Sequence, residues 1–501
     1  MKILLAGLCL ILSACTAGLG GAKITNIDAL QTSRGEDDPY KMLGILDSVE
    51  NCPSNSLKRC EINIFYIHGM GDTDKNFHKA LFDFITVKGD FKPVRVDPEE
   101  TIITLHPKFR EFNIRGEADL TGGFCGETAD ICEFGKMFKN AYTGSHAGKP
   151  VTVRSYALYW HEDAWTRVQD SFMGNDIETI ATDSVLVNRG LKKAVVDQGF
   201  SDAALYLSDF GKILRYATET AICHMIRDAA LPGTGTQETN KYCDLGSLSG
   251  DAAVIDKAAL QNMNFTFVSK SLGSRILMDS LMPLNELNTY DAYAQALLRL
   301  NPKMDPKDIL DKLRLMPGFA DEEQSVKTKR AIAGSVSRGY MLANQLPLLG
   351  LGNVKIASED ELKLRDAIYC ELILATVSDA CQTPMFVPAA PVLLEPAGFF
   401  TFIETTRRKA SPAKLNIYAF RDPNDILGFK AVSHIPDSAS GPYAKIEIAE
   451  IEHRNAREWL WLFANPMSAH ANEDDRPQSL ALIWCGGTAG PGGKLTAEAC
   501  Q

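Results

Sequence analysis

Three residue types set what chemistry this chain could perform: a serine at a sharp turn, carboxylates just after a strand, and a histidine further on. The stretch 262–275 reads Asn-Met-Asn-Phe-Thr-Phe-Val-Ser-Lys-Ser-Leu-Gly-Ser-Arg. Phe265, Phe267 and Val268 form a short β-rich apolar run. Ser269-Lys270-Ser271-Leu272-Gly273 then turns into an amphipathic segment carrying Ile276, Leu277 and Leu281. A strand–turn–helix centred on a serine is the context in which a hydroxyl is presented as a nucleophile. Small residues two positions to either side let the strained turn approach neighbouring backbone. The usual pattern is G-x-S-x-G, and here Ser269 stands in the first glycine's place. Ser271 is the candidate nucleophile; the competing reading is a plain βα loop with the same letters.

A serine hydroxyl is a weak nucleophile unless a base takes its proton and a carboxylate holds that base in the right tautomer. Residues 420–427, Phe-Arg-Asp-Pro-Asn-Asp-Ile-Leu, follow an apolar strand pattern and offer Asp422 and Asp425. Asp-Pro and Asn-Asp are also ordinary turn chemistry, so one of the two is expected to be a turn former. Beyond Asp425 only His434, His453 and His470 could serve as base. His434 lies within ten residues of the acid and before the last strand, which disfavours it.

The elements that must position these groups can be traced in order. Glu61–Ile67 reads as a buried strand that runs into His68-Gly69-Met70-Gly71-Asp72, followed by a helical pattern through Phe77, Leu81, Phe82 and Ile85. Further strands are expected over Val151–Trp160, up to Ser269, and over Arg338–Asn344, Lys414–Phe420 and Lys445–Ile451. Strands separated by helical stretches imply an α/β domain with a mostly parallel sheet covered on both faces. Segments 162–260, 282–335 and 350–412 are far longer than ordinary βα loops and carry helical patterns such as Ala203–Ile213 and Arg215–Ile226. They read as cap-forming insertions on one catalytic domain spanning 51–501, with packing elements as the alternative. Asn344-Gln345-Leu346-Pro347-Leu348 is expected to help shape the pocket, and Trp459, Trp461 and Phe463 to be core.

The 501 residues are 45% hydrophobic and carry a net charge of −11, so no basic stripe is available for nucleic acid. No apolar run is long enough to span a bilayer. At the N-terminus, Lys2, the apolar Ile3–Leu12 and Ser13-Ala14-Cys15 form a secretion signal over 1–14 with a small-residue cleavage site. Leu12-Ser13-Ala14-Cys15 resembles the bacterial lipobox, which implies lipidation of Cys15 and attachment to the cell envelope, with Thr16 implying the outer membrane. An ordinary secretory signal is the alternative. Residues 15–50 read as a tether. Of 12 cysteines, ten lie beyond this region and fall into close neighbours: 52 with 60, 125 with 132, 223 with 243, 370 with 381, and 485 with 500. In an exported chain these spacings suggest disulfides. The absence of any C-x-x-C pair argues against a zinc site.

Taken together, these motifs resemble the α/β-hydrolase superfamily, and its bacterial and fungal lipase or esterase branches in particular. The resemblance spans roughly 61–486, with its specific motifs confined to short patches. It implies that His68-Gly69-Met70-Gly71 is an oxyanion loop, with the Met70 amide and that of Leu272 stabilising the developing negative charge. It implies the chain order serine, acid, histidine. Asn424-Asp425-Ile426-Leu427 resembles the surroundings of the catalytic acid in some lipases, which favours Asp425 over Asp422. Pro466-Met467-Ser468-Ala469-His470 resembles the histidine loop of related hydrolases, which favours His470 over His453. The expected activity is hydrolysis of carboxylic esters, lipid esters among them, through an acyl-enzyme and without metal or organic cofactor. Two rivals share the sequence: an acyltransferase using the same residues, and a non-catalytic surface lipoprotein that keeps the fold for binding.

Overall fold

A computed structural model describes residues 23–27, 40–52, 60–70, 74–105, 132–160, 165, 200–208, 210–230, 243, 245, 263–282, 297, 301, 304–316, 319–343, 345, 414–425, 427–428, 446–454, 458–459, 463–464, 469–470, 476–490 and 493–498. In chain order the strands are β1 (Lys23–Ile27), β2 (Lys41–Met42), β3 (Cys60–Ile67), β4 (Lys92–Pro93), β5 (Glu99–Leu105), β6 (Cys132–His146), β7 (Lys149–Tyr159), β8 (Phe265–Lys270), β9 (Val336–Leu342), β10 (Leu415–Arg421), β11 (Ile446–Glu452), β12 (Glu458–Trp459), β13 (Phe463–Ala464), β14 (Gly487–Ala489) and β15 (Leu495–Ala497). The described helices are α1 (Lys79–Val87), α2 (Ser201–Leu207), α3 (Gly211–Ala230), α4 (Leu272–Leu281), α5 (Pro306–Leu313), α6 (Phe319–Ser335) and α7 (Pro477–Cys485).

Ten strands join one sheet in the order β1-β11-β10-β9-β8-β3-β7-β6-β4, with β5 also paired to β6. The run β7-β3-β8-β9-β10-β11 is parallel throughout, whereas β1, β4, β5 and β6 pair antiparallel at the two sides. From β3 the chain crosses to β7 on one side and then returns to place β8 on the other. The order therefore reverses between β3 and β8, and in open α/β sheets ligands bind beyond the carboxyl ends of the strands at such a reversal.

Both faces of the sheet are covered, which is why the parallel strands read as nearly continuous apolar runs. On β3, Phe65 and Ile67 pack to one core with α3 and α4, while Ile62, Ile64 and Tyr66 pack to a second core with α1 and α7. The two-residue alternation of a strand assigns these side chains to opposite faces. Helix α3 buries Leu214, Ala217, Ala221, Ile222 and Met225 in the first core, so this part of the 162–260 segment belongs to the body of the domain. Residues 40–52 differ from the tether expected there. Met42, Ile45 and Val49 are buried, Leu43 N–H donates to the Tyr418 hydroxyl at 2.8 Å, and Tyr340 donates to Leu43 O at 2.8 Å. Lys23–Ile27 adds strand β1 beside β11. The folded part thus begins well before residue 51; apolar residues at irregular spacing hid the packing.

Disulfides join Cys52 to Cys60 and Cys223 to Cys243, with Cα–Cα separations of 5.6 and 5.8 Å. Each closes a short loop and stabilises by about 3 kcal/mol, chiefly through the unfolded chain. Cys485 is also disulfide-bonded. Cys15, Cys125, Cys370, Cys381 and Cys500 lie outside the described residues. No described helix is long and apolar enough to cross a membrane.

Candidate active site

The elbow forms where β8 ends and α4 begins. Ser271 has φ 52° and ψ −125°, a left-handed conformation that costs a non-glycine residue about 1–3 kcal/mol and persists only when its surroundings enforce it. They do so here. Ser271 N–H donates to Leu342 O at 2.8 Å, continuing the β8–β9 ladder past the strand end. Gly273 lies so close to the end of β3 that an added Cβ would stand 2.4 Å from His68 O. Gly69, next in the same loop, also faces the elbow, and a Cβ there would stand 2.5 Å from the Ser271 Cβ. The first small position tolerates Ser269 because its buried hydroxyl is used: it shares a hydrogen bond with Ser274 Oγ at 2.9 Å and reaches Tyr340 O at 3.4 Å.

The three triad candidates come together. His470 Nε2 lies 2.9 Å from Ser271 Oγ, and His470 Nδ1 lies 2.8 Å from Asp425 Oδ2. The carboxylate accepts from Nδ1–H, so Nε2 carries the lone pair and accepts the serine proton. All three residues are buried, with Ser271, Asp425 and His470 at 1%, 5% and 8% exposure, so the relay works in a low dielectric that strengthens each link. Asp425 Oδ1 accepts from Leu427 N–H at 2.9 Å, which fixes the carboxylate plane.

The alternatives occupy other roles. Asp422 Oδ1 accepts from Asn424 N–H at 2.8 Å and from its side-chain amide at 3.2 Å, the turn expected of one of the two aspartates. His453 is buried at the end of β11, where Nδ1 pairs with Ser479 Oγ at 2.7 Å. His434 lies outside the described residues.

The loop after β3 is locked by a contact that the sequence does not reveal. His68 is fully buried and stacks on Trp160, with ring centroids 4.8 Å apart and planes 3° from parallel. Trp160 N–H donates to His68 Nε2 at 3.2 Å, and the Trp160 indole N–H donates to His68 O at 3.1 Å. His68 Nδ1–H in turn donates to Gly69 O at 2.7 Å. Met70 follows, partly buried against the first core. Leu272 opens α4, where first-turn N–H groups have no intrahelical acceptor. Gln345, fully buried beyond the end of β9, places Nε2 at 3.4 Å from His470 Nε2. The position of residues 344–348 after a strand was the signal for Gln345, but its contact with the base was not readable. Among the described residues no group of three or more His, Cys, Asp or Glu side chains is placed to hold a metal ion.

A hydroxyl on a strained turn, a histidine in the accepting tautomer and a buried carboxylate behind it form a proton relay suited to nucleophilic attack on an acyl carbon. Compared with known proteins, the chain matches no family model, no curated sequence and no solved structure.

Proposed function

We propose that this protein is a serine hydrolase that cleaves carboxylic esters, lipid esters among them, through an acyl-enzyme on Ser271. The observation that carries the reading is the continuous Ser271–His470–Asp425 relay, 2.9 and 2.8 Å per link, built on a serine held at positive φ. His470 Nε2 takes the Ser271 proton as Oγ bonds to the ester carbonyl carbon. The carbonyl electrons move to oxygen, where the Met70 and Leu272 amides stabilise the charge; one such donor is typically worth a hundredfold or more in rate. Collapse expels the alcohol, which takes the proton from His470. Water then repeats the sequence on the acyl-enzyme and restores Ser271.

The reading extends to the α/β-hydrolase fold. Its support is the order of site loops along the parallel sheet: the Gly69 loop after β3, the serine after β8, the acid after β10 and the histidine after β11. We further propose export and lipid anchoring through Cys15; Cys15→Ser should move the protein from the membrane fraction to the soluble one, and unchanged fractionation would reject the anchor.

The decisive test is fluorophosphonate labelling of the mature protein beside Ser271→Ala, with turnover of short and long p-nitrophenyl esters. The expected result is labelling and turnover in the wild type, both lost in the variant. A folded wild type that neither labels nor turns over ester would reject the enzyme reading and favour a binding role.

A further inference from the structure

The relay leaves one buried polar atom without a partner at its edge. Gln345 is fully buried, its Nε2 lies 3.4 Å from His470 Nε2, and its carbonyl Oε1 has no hydrogen-bond partner. The amide orientation follows from the tautomer. His470 Nε2 carries a lone pair, so it faces the amide N–H group and turns the carbonyl aside. A buried acceptor left unpaired is rare in folded proteins and is a standing cost unless something fills it during function. The two ends of one planar amide are closer together than a hydrogen-bond length. Oε1 therefore lies within a bridging molecule's span of the base nitrogen, and because it has almost no accessible surface in this structure, a water reaches it only when the amide or its neighbours shift.

We propose that Gln345 is a positioning residue for the water that deacylates the enzyme, and that it selects water over alcohols as the acyl acceptor. The inference rests on the hydrolase reading of Ser271. The attacking oxygen must give a proton to His470 Nε2 while it bonds to the acyl carbon. Water has two O–H groups, so one faces His470 Nε2 and the other donates to Gln345 Oε1. A simple alcohol has one O–H group, and once this faces the histidine its carbon substituent has nothing to offer Oε1. As the water oxygen adds, its proton passes to His470 Nε2 and the carbonyl electrons move to the oxyanion. Collapse breaks the bond from carbon to Ser271 Oγ, and His470 returns the proton to that oxygen, releasing the carboxylic acid. Gln345 exchanges no proton; it fixes the direction of the second O–H.

The test is the partition of one acyl-enzyme between two acceptors. Wild type, Gln345→Leu and Gln345→Glu are given p-nitrophenyl butyrate with graded 1-propanol, and butyric acid and propyl butyrate are quantified. The acid-to-ester ratio is internal to the molecules that turn over, so partial misfolding does not distort it. Gln345→Leu should lower the ratio about fivefold, the factor that one neutral hydrogen bond typically carries. Gln345→Glu, which keeps an acceptor oxygen, should retain the wild-type ratio. Should Gln345→Leu fail to fold, Gln345→Met carries the same measurement with a side chain closer in shape. A wild-type ratio in Gln345→Leu, or an equal fall in Gln345→Glu, would overturn the proposal while fluorophosphonate labelling of Ser271 left the hydrolase reading standing. Absence of labelling in the wild type would remove both.

Discussion

Asp425→Asn separates a catalytic carboxylate from a turn former by one atom, and its magnitude follows from the hydrogen bonds around it. Asp425 uses Oδ2 for His470 Nδ1 at 2.8 Å and Oδ1 for Leu427 N–H at 2.9 Å. An asparagine offers one acceptor and one donor to two donors. With its oxygen toward Leu427, its NH₂ faces Nδ1, and the imidazole must shift its proton to Nε2, where it no longer accepts from Ser271. With its oxygen toward Nδ1–H, its NH₂ opposes Leu427 N–H in a buried site, at a cost of about 1–3 kcal/mol. The first orientation is therefore preferred by roughly five- to a hundredfold. The wrong tautomer and the missing charge together are expected to lower kcat about ten-thousandfold, the loss such a change brings in a Ser-His-Asp site. Asp422→Asn supplies the control. Its Oδ1 accepts from Asn424, an asparagine keeps that oxygen, and the relay runs through Asp425 instead, so its kcat should stay within about threefold of wild type, a barrier change of under about 1 kcal/mol. Initial rates on p-nitrophenyl acetate, with circular dichroism to verify folding, decide the matter. If Asp425→Asn kept more than a tenth of wild-type kcat, or Asp422→Asn fell as far, the assigned relay would be wrong.

Other perturbations follow from the same geometry. Gly69→Ala puts a methyl group 2.5 Å from the Ser271 Cβ. It should cost about 1–3 kcal/mol by overpacking and lower kcat by at least tenfold, because the elbow must move; unfolding midpoints and kcat measured together would expose a purely structural effect. His78 and His224 are buried, and desolvation pushes each pKa down to about 4, with the Arg227 and Lys139 charges adding to the effect at His224. A histidine held below its ordinary value is neutral when folded and gains a proton on unfolding. Stability is therefore full above pH 6.5 and falls as pH drops toward 4, by about 3 kcal/mol for each histidine. Urea midpoints at pH 7 and 4.5 should show that fall, and His78→Phe should remove about half of it; an identical fall in the variant would refute the assignment. Lys329, fully buried, pairs with Glu219 at 2.9 Å between α6 and α3. Glu219→Ala should cost about 3–5 kcal/mol by stranding the ammonium, and adding Lys329→Met should recover most of it; a double variant no more stable than the single would show that the pair is not what the mutation disturbs.

The parallel strands of the sheet were legible because they are buried on both faces. Glu61–Ile67, Val151–Trp160, Arg338–Asn344, Lys414–Phe420 and Lys445–Ile451 each match an observed strand to within two residues. The antiparallel strands were not legible. In β6, Lys136 and Lys139 interrupt the apolar run, and the strand is fixed by pairing with β5 and β7 on either side. Lys23–Ile27 is a strand because β11 offers it an edge, which no local pattern encodes. Ser271 could be read from the letters, since a strained elbow demands small neighbours. The resemblance of Pro466–His470 to a hydrolase histidine loop favoured His470 over His453, but both histidines lie past the acid, and only the fold shows that His470 pairs with Asp425 while His453 pairs with Ser479. The stretch holding Gln345 was legible as pocket-shaping from its place after a strand, but the contact with His470 was not, as that partner lies 125 positions away.

The two halves of the relay are positioned by different means. Ser271 is set by backbone: it is pinned to Leu342 on β9, with Gly273 against the end of β3. Its strained φ is enforced by three adjacent strands whose register runs from Ile67 opposite Ser269 to Lys270 opposite Leu342. His470 lies well past the end of β11, and its ring is held by side chains, with Asp425 on Nδ1, and Ser271 and Gln345 on Nε2. Changing Asp425 therefore disturbs the base while leaving the nucleophile's turn in place, whereas changing Gly69 or Gly273 moves the nucleophile itself. The structure thus separates two classes of defect. Base-side variants should keep a normal fold and lose proton transfer, and elbow variants should lose stability and rate together, because the strain that presents Ser271 is also part of the packing between β3, β8 and β9.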